Sequence, residues 1–211
     1  MLKANFITAQ EAAEKIQDGS TLCTIGMTLV SASESILKAI EKRFETVGHP
    51  ADITLVHSCG QSDRKDGIQH LAHEGLVKRI IGSHWGLQPR WMEMIANSQV
   101  EAYCLPQGQI AQLYRSMACG LPGKMSKVGL GTFIDPRVEG GKMNDRTKPL
   151  PDIVDILEYS GEEYMFYKEI PLDTVLIRGT VCDEMGNLTT TEEAMTVSYT
   201  HLRAHETCAD L

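Results

Sequence analysis

Four times between residues 20 and 119, a short apolar run of strand character gives way to a helical pattern, and this alternation constrains the fold most. "STLCTI" precedes "ESILKAIEKRF", in which Ile36, Leu37, Ile40 and Phe44 recur at helical spacing. "DITLVHS" precedes "IQHLAHEGLV", and "KRIIGS" precedes "PRWMEMIAN". "VEAYCL" precedes "QIAQLYRSMAC", where Ile110, Leu113, Tyr114 and Met117 share a face. Strands that alternate with helices are joined by crossovers, which run neighbours parallel and place helices on both sides of the sheet. The expectation is one α/β domain with a mostly parallel sheet and flanking helices.

Boundary signals agree. Thr8 and Glu11 form a T-x-x-E capping box ahead of "AAEKI", closed by Asp18-Gly19, and Ser31 and Glu34 predict a second box. Past Pro122 the chain turns loop-rich through Asn144, then gives strand-like "IVDILEY", "EYMFYK" and "DTVLIRG". The formal net charge of -8 argues against nucleic acid as a partner, since phosphate binding needs a basic face. A small phosphorylated ligand remains open. The six scattered cysteines form no C-x-x-C pair and read as reduced thiols of a cytoplasmic protein. No apolar run approaches the roughly 20 residues of a membrane span, and the polar start is no secretory signal.

In open parallel sheets, ligands sit at the carboxyl ends of the strands. That singles out the loops Gly26–Ser33, Ser83–Gly86 and Pro106–Gly108, none of which carries a dinucleotide or P-loop fingerprint. His84 either lines a pocket there or is a buried histidine bonded to a carbonyl. Gln107 follows a strand and opens a helix, so its amide either holds a carboxylate or carbonyl without titrating, or stabilises the loop. His70 and His73, beside Glu74, share a helix face but lack the further ligands of a zinc site, so no metal is expected. Glu139, between Arg137 and Lys142, is a carboxylate nucleophile candidate, with a surface ion pair the favoured reading.

"GLGTFIDPRVEGGKMN", "HLAHEGLVKRIIGSHWG", "EAYCLPQG" and "LIRGTVCDEMGNLT" together resemble the family I CoA-transferases, in particular the propionate or acetate CoA-transferases. The resemblance runs from about Ala9 to Ala194 and covers the first, α-type half of such an enzyme. It implies the CoA-transferase fold, related to that of phosphosugar isomerases, and a ping-pong transfer through a glutamyl-CoA thioester. No metal or redox cofactor is implied, coenzyme A being a substrate. The family's nucleophilic glutamate belongs to a β-type half, fused or separate. "VEGG", "HEGL" and "SGEE" do not match its motif, so no catalytic residue is expected in this chain, which alone should be inactive. Acyl-CoA, a short-chain carboxylic acid, a β-type half and a homo-oligomer of the full enzyme are the implied partners.

Residue by residue, Gln107 and Gly108 match the family's Pro-Gln-Gly turn beside the acyl site. Gly129, Gly131 and Thr132, with Asp135, Pro136 and Arg137, match its glycine-rich segment near the boundary between halves. The first loop departs from the pattern: Gly26 remains, Met27 replaces Phe, and Leu29 and Ser33 replace a later Gly and Pro. Acyl preference therefore does not carry over. The alternatives are a phosphosugar isomerase-like domain or a non-catalytic ligand-binding module of the same fold. Past Ala194 the resemblance stops. "SYTHLRAHET" resembles translated sequencing-adaptor sequence, so residues 195–211 are expected to be foreign and residues 1–194 a truncated domain with an open sheet edge.

Overall fold

The computed structural model describes residues 3–192 and 208–210. In chain order the elements are α1 (Ala9–Lys15), β1 (Thr21–Thr24), α2 (Glu34–Val47), β2 (Ile53–His57), β3 (Val77–Gly82), α3 (Pro89–Ala96), β4 (Glu101–Cys104) and α4 (Gln107–Ala118), then β5 (Gly123–Ser126), β6 (Val154–Tyr159), β7 (Glu162–Lys168), β8 (Thr174–Arg178), β9 (Val181–Cys182), β10 (Leu188–Thr189) and β11 (Cys208–Asp210). A 3-10 turn, Gly67–Leu71, lies between β2 and β3. The main sheet runs β11-β8-β1-β2-β3-β4, every pair parallel. Residues 195–207 lie outside the described residues.

Both faces of this sheet are covered, so its strands read as continuous apolar runs. Leu22, Leu55, Ile80, Ala102 and Leu176 point to one core, into which α2 and α3 insert Ile36, Leu37, Ile40 and Trp91. Their chain neighbours Cys23, Val56, Ile81, Tyr103 and Val175 face the other, packed by Ile110, Leu113 and Tyr114 of α4. Val154, Met165 and Tyr167 of a second, antiparallel sheet β5-β7-β6 close that side. Among the described residues, no helix is long and apolar enough to cross a membrane.

The first capping box forms: Thr8 Oγ1 accepts the Glu11 N–H at 3.2 Å, and Glu11 Oε2 accepts the Thr8 N–H at 2.8 Å. The second does not. Ser33 stands at the N-cap of α2 without a side-chain cap, and Glu34 accepts the Gly67 N–H at 2.9 Å. "IQHLAHEGLV" is not an α-helix either, because its apolar residues serve two elements. Ile68 and Leu71 are buried under the 3-10 turn, whereas Val77 already begins β3.

The loop-rich stretch after Pro122 contains β5 and does a structural job. The Cys104 N–H donates to the Gly141 carbonyl at 2.7 Å, and the Met143 N–H donates to Ala102 at 3.0 Å. Thr147 Oγ1 takes the Ala102 N–H at 2.7 Å, and the Asn144 amide donates to the carbonyls of Ile95 and Val100. Residues 141–147 thus form a strap over β4, occupying ladder positions that an edge strand leaves free.

Candidate functional site

The carboxyl ends of β1 to β4 meet at one end of the main sheet, and the loop His57–Gln61 joins them. The Thr28 N–H donates to the Gly60 carbonyl at 2.8 Å, and Gln61 Nε2 donates to the Thr24 carbonyl at 2.8 Å. Fully buried Gln88, its amide oriented to satisfy both ends, donates to the His84 carbonyl and accepts the Gln61 N–H, each at 2.9 Å. Gly60 and Gly86 lie against the His84 ring; a methyl group on either would fall 2.8 and 2.7 Å from it. Gln107 is the first residue of α4, which opens just after the carboxyl end of β4.

The predicted residues Gly26, Met27 and His84 lie in loops at this end of the sheet, and Gln107 and Gly108 open α4 at the same end. Met27 and Val30 exchange backbone hydrogen bonds of 3.0 and 2.9 Å. Gly26, at φ +147°, lets that turn close, because a Cβ would stand 2.8 Å from the Val30 carbonyl oxygen. His84 and Gln107 are both exposed. Sequence reasoning missed the His57–Gln61 loop. "HSCGQ" stands directly after an apolar strand run and holds a glycine, the signal shared by the loops that were singled out.

His57 is fully buried, with Nδ1 donating to the Cys59 carbonyl at 2.7 Å. That bond leaves Nε2 the acceptor, and it has no partner. Burial pushes the imidazole from its ordinary 6.5 to about 4, against the opposing Cys59 hydrogen bond, and the nearby His84 adds to the fall. At neutral pH His57 is uncharged. Because its folded pKa is depressed, its contribution is intact above 6.5 and is lost as pH falls through about 4. Denaturant midpoints should record a loss of about 3 kcal/mol across that window. His57→Asn, which keeps a donor for Cys59, should flatten the slope; equal slopes in both proteins would refute this assignment.

Gly129, Gly131 and Thr132 have a different setting. Thr132 Oγ1 donates to the Gly129 carbonyl at 2.8 Å, and the Gly131 N–H donates to Asp135 at 2.9 Å. Gly129 packs on the Tyr167 hydroxyl of β7. Arg137 binds Asp135 through Nε and Nη2, holding its carboxyl well below the usual range. The far end of this segment, not Gly129–Thr132, reaches β4. The ion pair expected for Glu139 with Arg137 and Lys142 does not form: Arg137 turns to Asp135 and Glu163, and Lys142 pairs with Asp152 at 2.9 Å.

His70 and His73 sit in a charge network outside this site. His70 is engaged by Glu41 at Nδ1 and by Glu34 at Nε2, and His73 Nε2 lies 2.8 Å from Glu41. Burial lowers the His70 pKa, but the hydrogen bonds from Glu41 and Glu34 outweigh it and raise the value overall. Glu34–Asp66–His70 and Glu41–Glu45–His73 each bring three potential metal donors within 4.8 Å. Lys38 and Arg90 already balance the carboxylates there.

Residues 6–209 match the family model described as coenzyme A transferase. The caffeate CoA-transferase of Acetobacterium woodii is 43% identical over 187 residues, covering 88% of this chain and 35% of that protein. The acetate CoA-transferase subunit alpha of Escherichia coli K12 is 26% identical, covering 89% of this chain and 76% of that subunit. The crystal structure of the acyl-CoA transferase YdiF apoenzyme from Escherichia coli O157:H7 superposes with a TM-score of 0.91 at 34% identity, covering 96% of this chain and 39% of that one. The chain thus spans little more than a third of the caffeate enzyme and of YdiF. With the match running through nearly all of its residues, the chain belongs to the coenzyme A transferase family.

Proposed function

We propose that this chain is the α-type half of an enzyme that moves CoA from a short-chain acyl-CoA to a carboxylic acid. The observation that carries this reading is the match to the coenzyme A transferase family, joined by the exposed Gln107 amide at the carboxyl end of β4. An amide there engages a carboxylate or thioester carbonyl in the same way at any pH.

A glutamate of a β-type half attacks the thioester carbonyl, giving an acyl-glutamyl anhydride and CoA thiolate. The thiolate returns to the glutamyl carbonyl, releasing the donor acid and leaving a glutamyl-CoA thioester. The acceptor carboxylate then repeats the sequence in reverse, so the thioester bond energy is retained. Written this way, the reaction needs no metal or redox cofactor. The coverage of the separate alpha subunit supports a half-enzyme role, with the β-type half fused or separate and the whole enzyme a homo-oligomer. The free cysteines fit a reducing cytoplasm, and nothing in the reaction calls for nucleic acid or membrane.

The test is CoA transfer from propionyl-CoA to acetate, by the chain alone and mixed with a β-type half. Turnover only in the mixture is expected. Turnover by the chain alone would overturn the assignment of the nucleophile to the second half.

A further inference from the structure

Two buried amides connect the loops of the candidate site. Gln61 and Gln88 are both fully buried, whereas glutamine is mostly a surface residue. Gln61 donates from Nε2 to the carbonyl of Thr24, the last residue of β1, at 2.8 Å. Its own N–H donates to the Gln88 side-chain oxygen, and the Gln88 side-chain nitrogen donates to the His84 carbonyl, each at 2.9 Å. Thr24, Gln61, Gln88 and His84 thus form one chain across the carboxyl ends of β1, β2 and β3, which are neighbours in the sheet. The link at Gln88 needs a side chain that accepts at one end and donates at the other, which an amide does at every pH. A carboxylate would set two acceptors against each other at His84. Gly60 lies against the same amide, since a Cβ there would stand 3.1 Å from it.

We propose that Gln61 and Gln88 are positioning residues, a buried relay that holds the Gly26–Ser33, His57–Gln61 and Ser83–Gly86 loops in one register. The exposed groups of those loops, His84 among them, are thereby set in place before a substrate arrives. The register stands on the hydrogen bonds alone, and its kinetic consequence rests on the CoA-transfer reading. Cutting the relay at Gln88 orphans the Gln61 N–H and the His84 carbonyl together, so two loops are released by one change.

Hydrogen exchange in the chain as it stands tests the relay. Gln88→Met, of similar length but without donor or matching acceptor, should cost the Gln61 amide about 10-fold in protection beyond any change at the Leu55 amide of β2, as loss of one hydrogen bond would. Gln88→Glu keeps an acceptor for that amide and should leave it protected. Equal loss at Gln61 and Leu55 in Gln88→Met, or equal behaviour of Met and Glu, overturns the relay. Steady-state transfer by the chain with a β-type half, well below the unfolding midpoint, tests the consequence. Gln88→Met should lower kcat/KM about 10- to 100-fold, as misplaced groups do. Gln61→Met cuts only the Thr24 link and gives the same test should Gln88→Met fail to fold. Asn144→Ala removes another buried amide, from the carbonyls of Ile95 and Val100 ahead of β4, and should leave the rate of the folded enzyme unchanged. Equal losses in the Gln and Asn variants would reduce the glutamines to packing residues and overturn the proposal. Absence of transfer by the unmodified pair would instead sink the CoA-transfer reading, with exchange still deciding the relay.

Discussion

Gly82→Ala should destabilise the domain by about 3 kcal/mol and disorder the loop after β2, near the top of the range for overpacking a well-filled interior. A Cβ at Gly82 would lie 2.4 Å from His57 Nε2 and 2.5 Å from Cε1. The ring has little freedom to yield. It is fully buried, tied to the Cys59 carbonyl, and meets Trp85 edge-on at 6.0 Å between centroids. Displacing it breaks the 2.7 Å bond that holds the Cys59 backbone, so transfer activity of the complete enzyme should fall with stability. A double-mutant cycle with His57→Ala separates the clash from other costs, because removing the ring removes the obstacle. The pair should be less destabilised than the sum of its members by about 1 kcal/mol or more. Strict additivity would show that the His57 ring is not what Gly82 accommodates.

Gly141→Ala should release the strap from β4 at a cost of about 2–4 kcal/mol, combining left-handed strain with a backbone collision. Gly141 lies at φ +72°, and a Cβ would stand 2.5 Å from the Cys104 carbonyl oxygen. Neither partner is a side chain that can swing aside. Hydrogen exchange gives the local reading: the Cys104 and Met143 amides should lose protection on the order of 100-fold. Light scattering gives the second, since an uncovered parallel edge is a template for another chain. Unchanged exchange at both amides would show that the strap is held by Asn144 and Thr147 instead.

The fold was legible where side-chain periodicity carries it. Ile110, Leu113, Tyr114 and Met117 marked the buried face of α4, and the apolar runs around Cys23, Val56, Ile80 and Ala102 marked the parallel strands. It was not legible where backbone pairing decides. "GKMS" shows no alternation, yet it pairs with β7, and Gly141 and Met143 reach β4 through main-chain atoms alone. "IQHLAHEGLV" had helical spacing, but tertiary demand divided it between a turn and a strand. The site divides in the same way. Gly26, His84 and Gln107 were marked by strand-to-helix position, whereas the role of His57 arises from its packing against Gly82 and Trp85, which are distant in sequence.

The order of strands also bears on how the protein is made. β1 pairs on one side with β2, which follows it closely, and on the other with β8. The Asp173 carboxylate that takes the Thr21 N–H leaves the ribosome 152 residues after its partner. At common rates of synthesis that interval is roughly 8–30 s. Until β8 is made, the edge of β1 opposite β2 has no strand to pair with. A nascent chain paused before Asp173 would thus be a natural client for chaperones, with β1 still lacking its β8 neighbour.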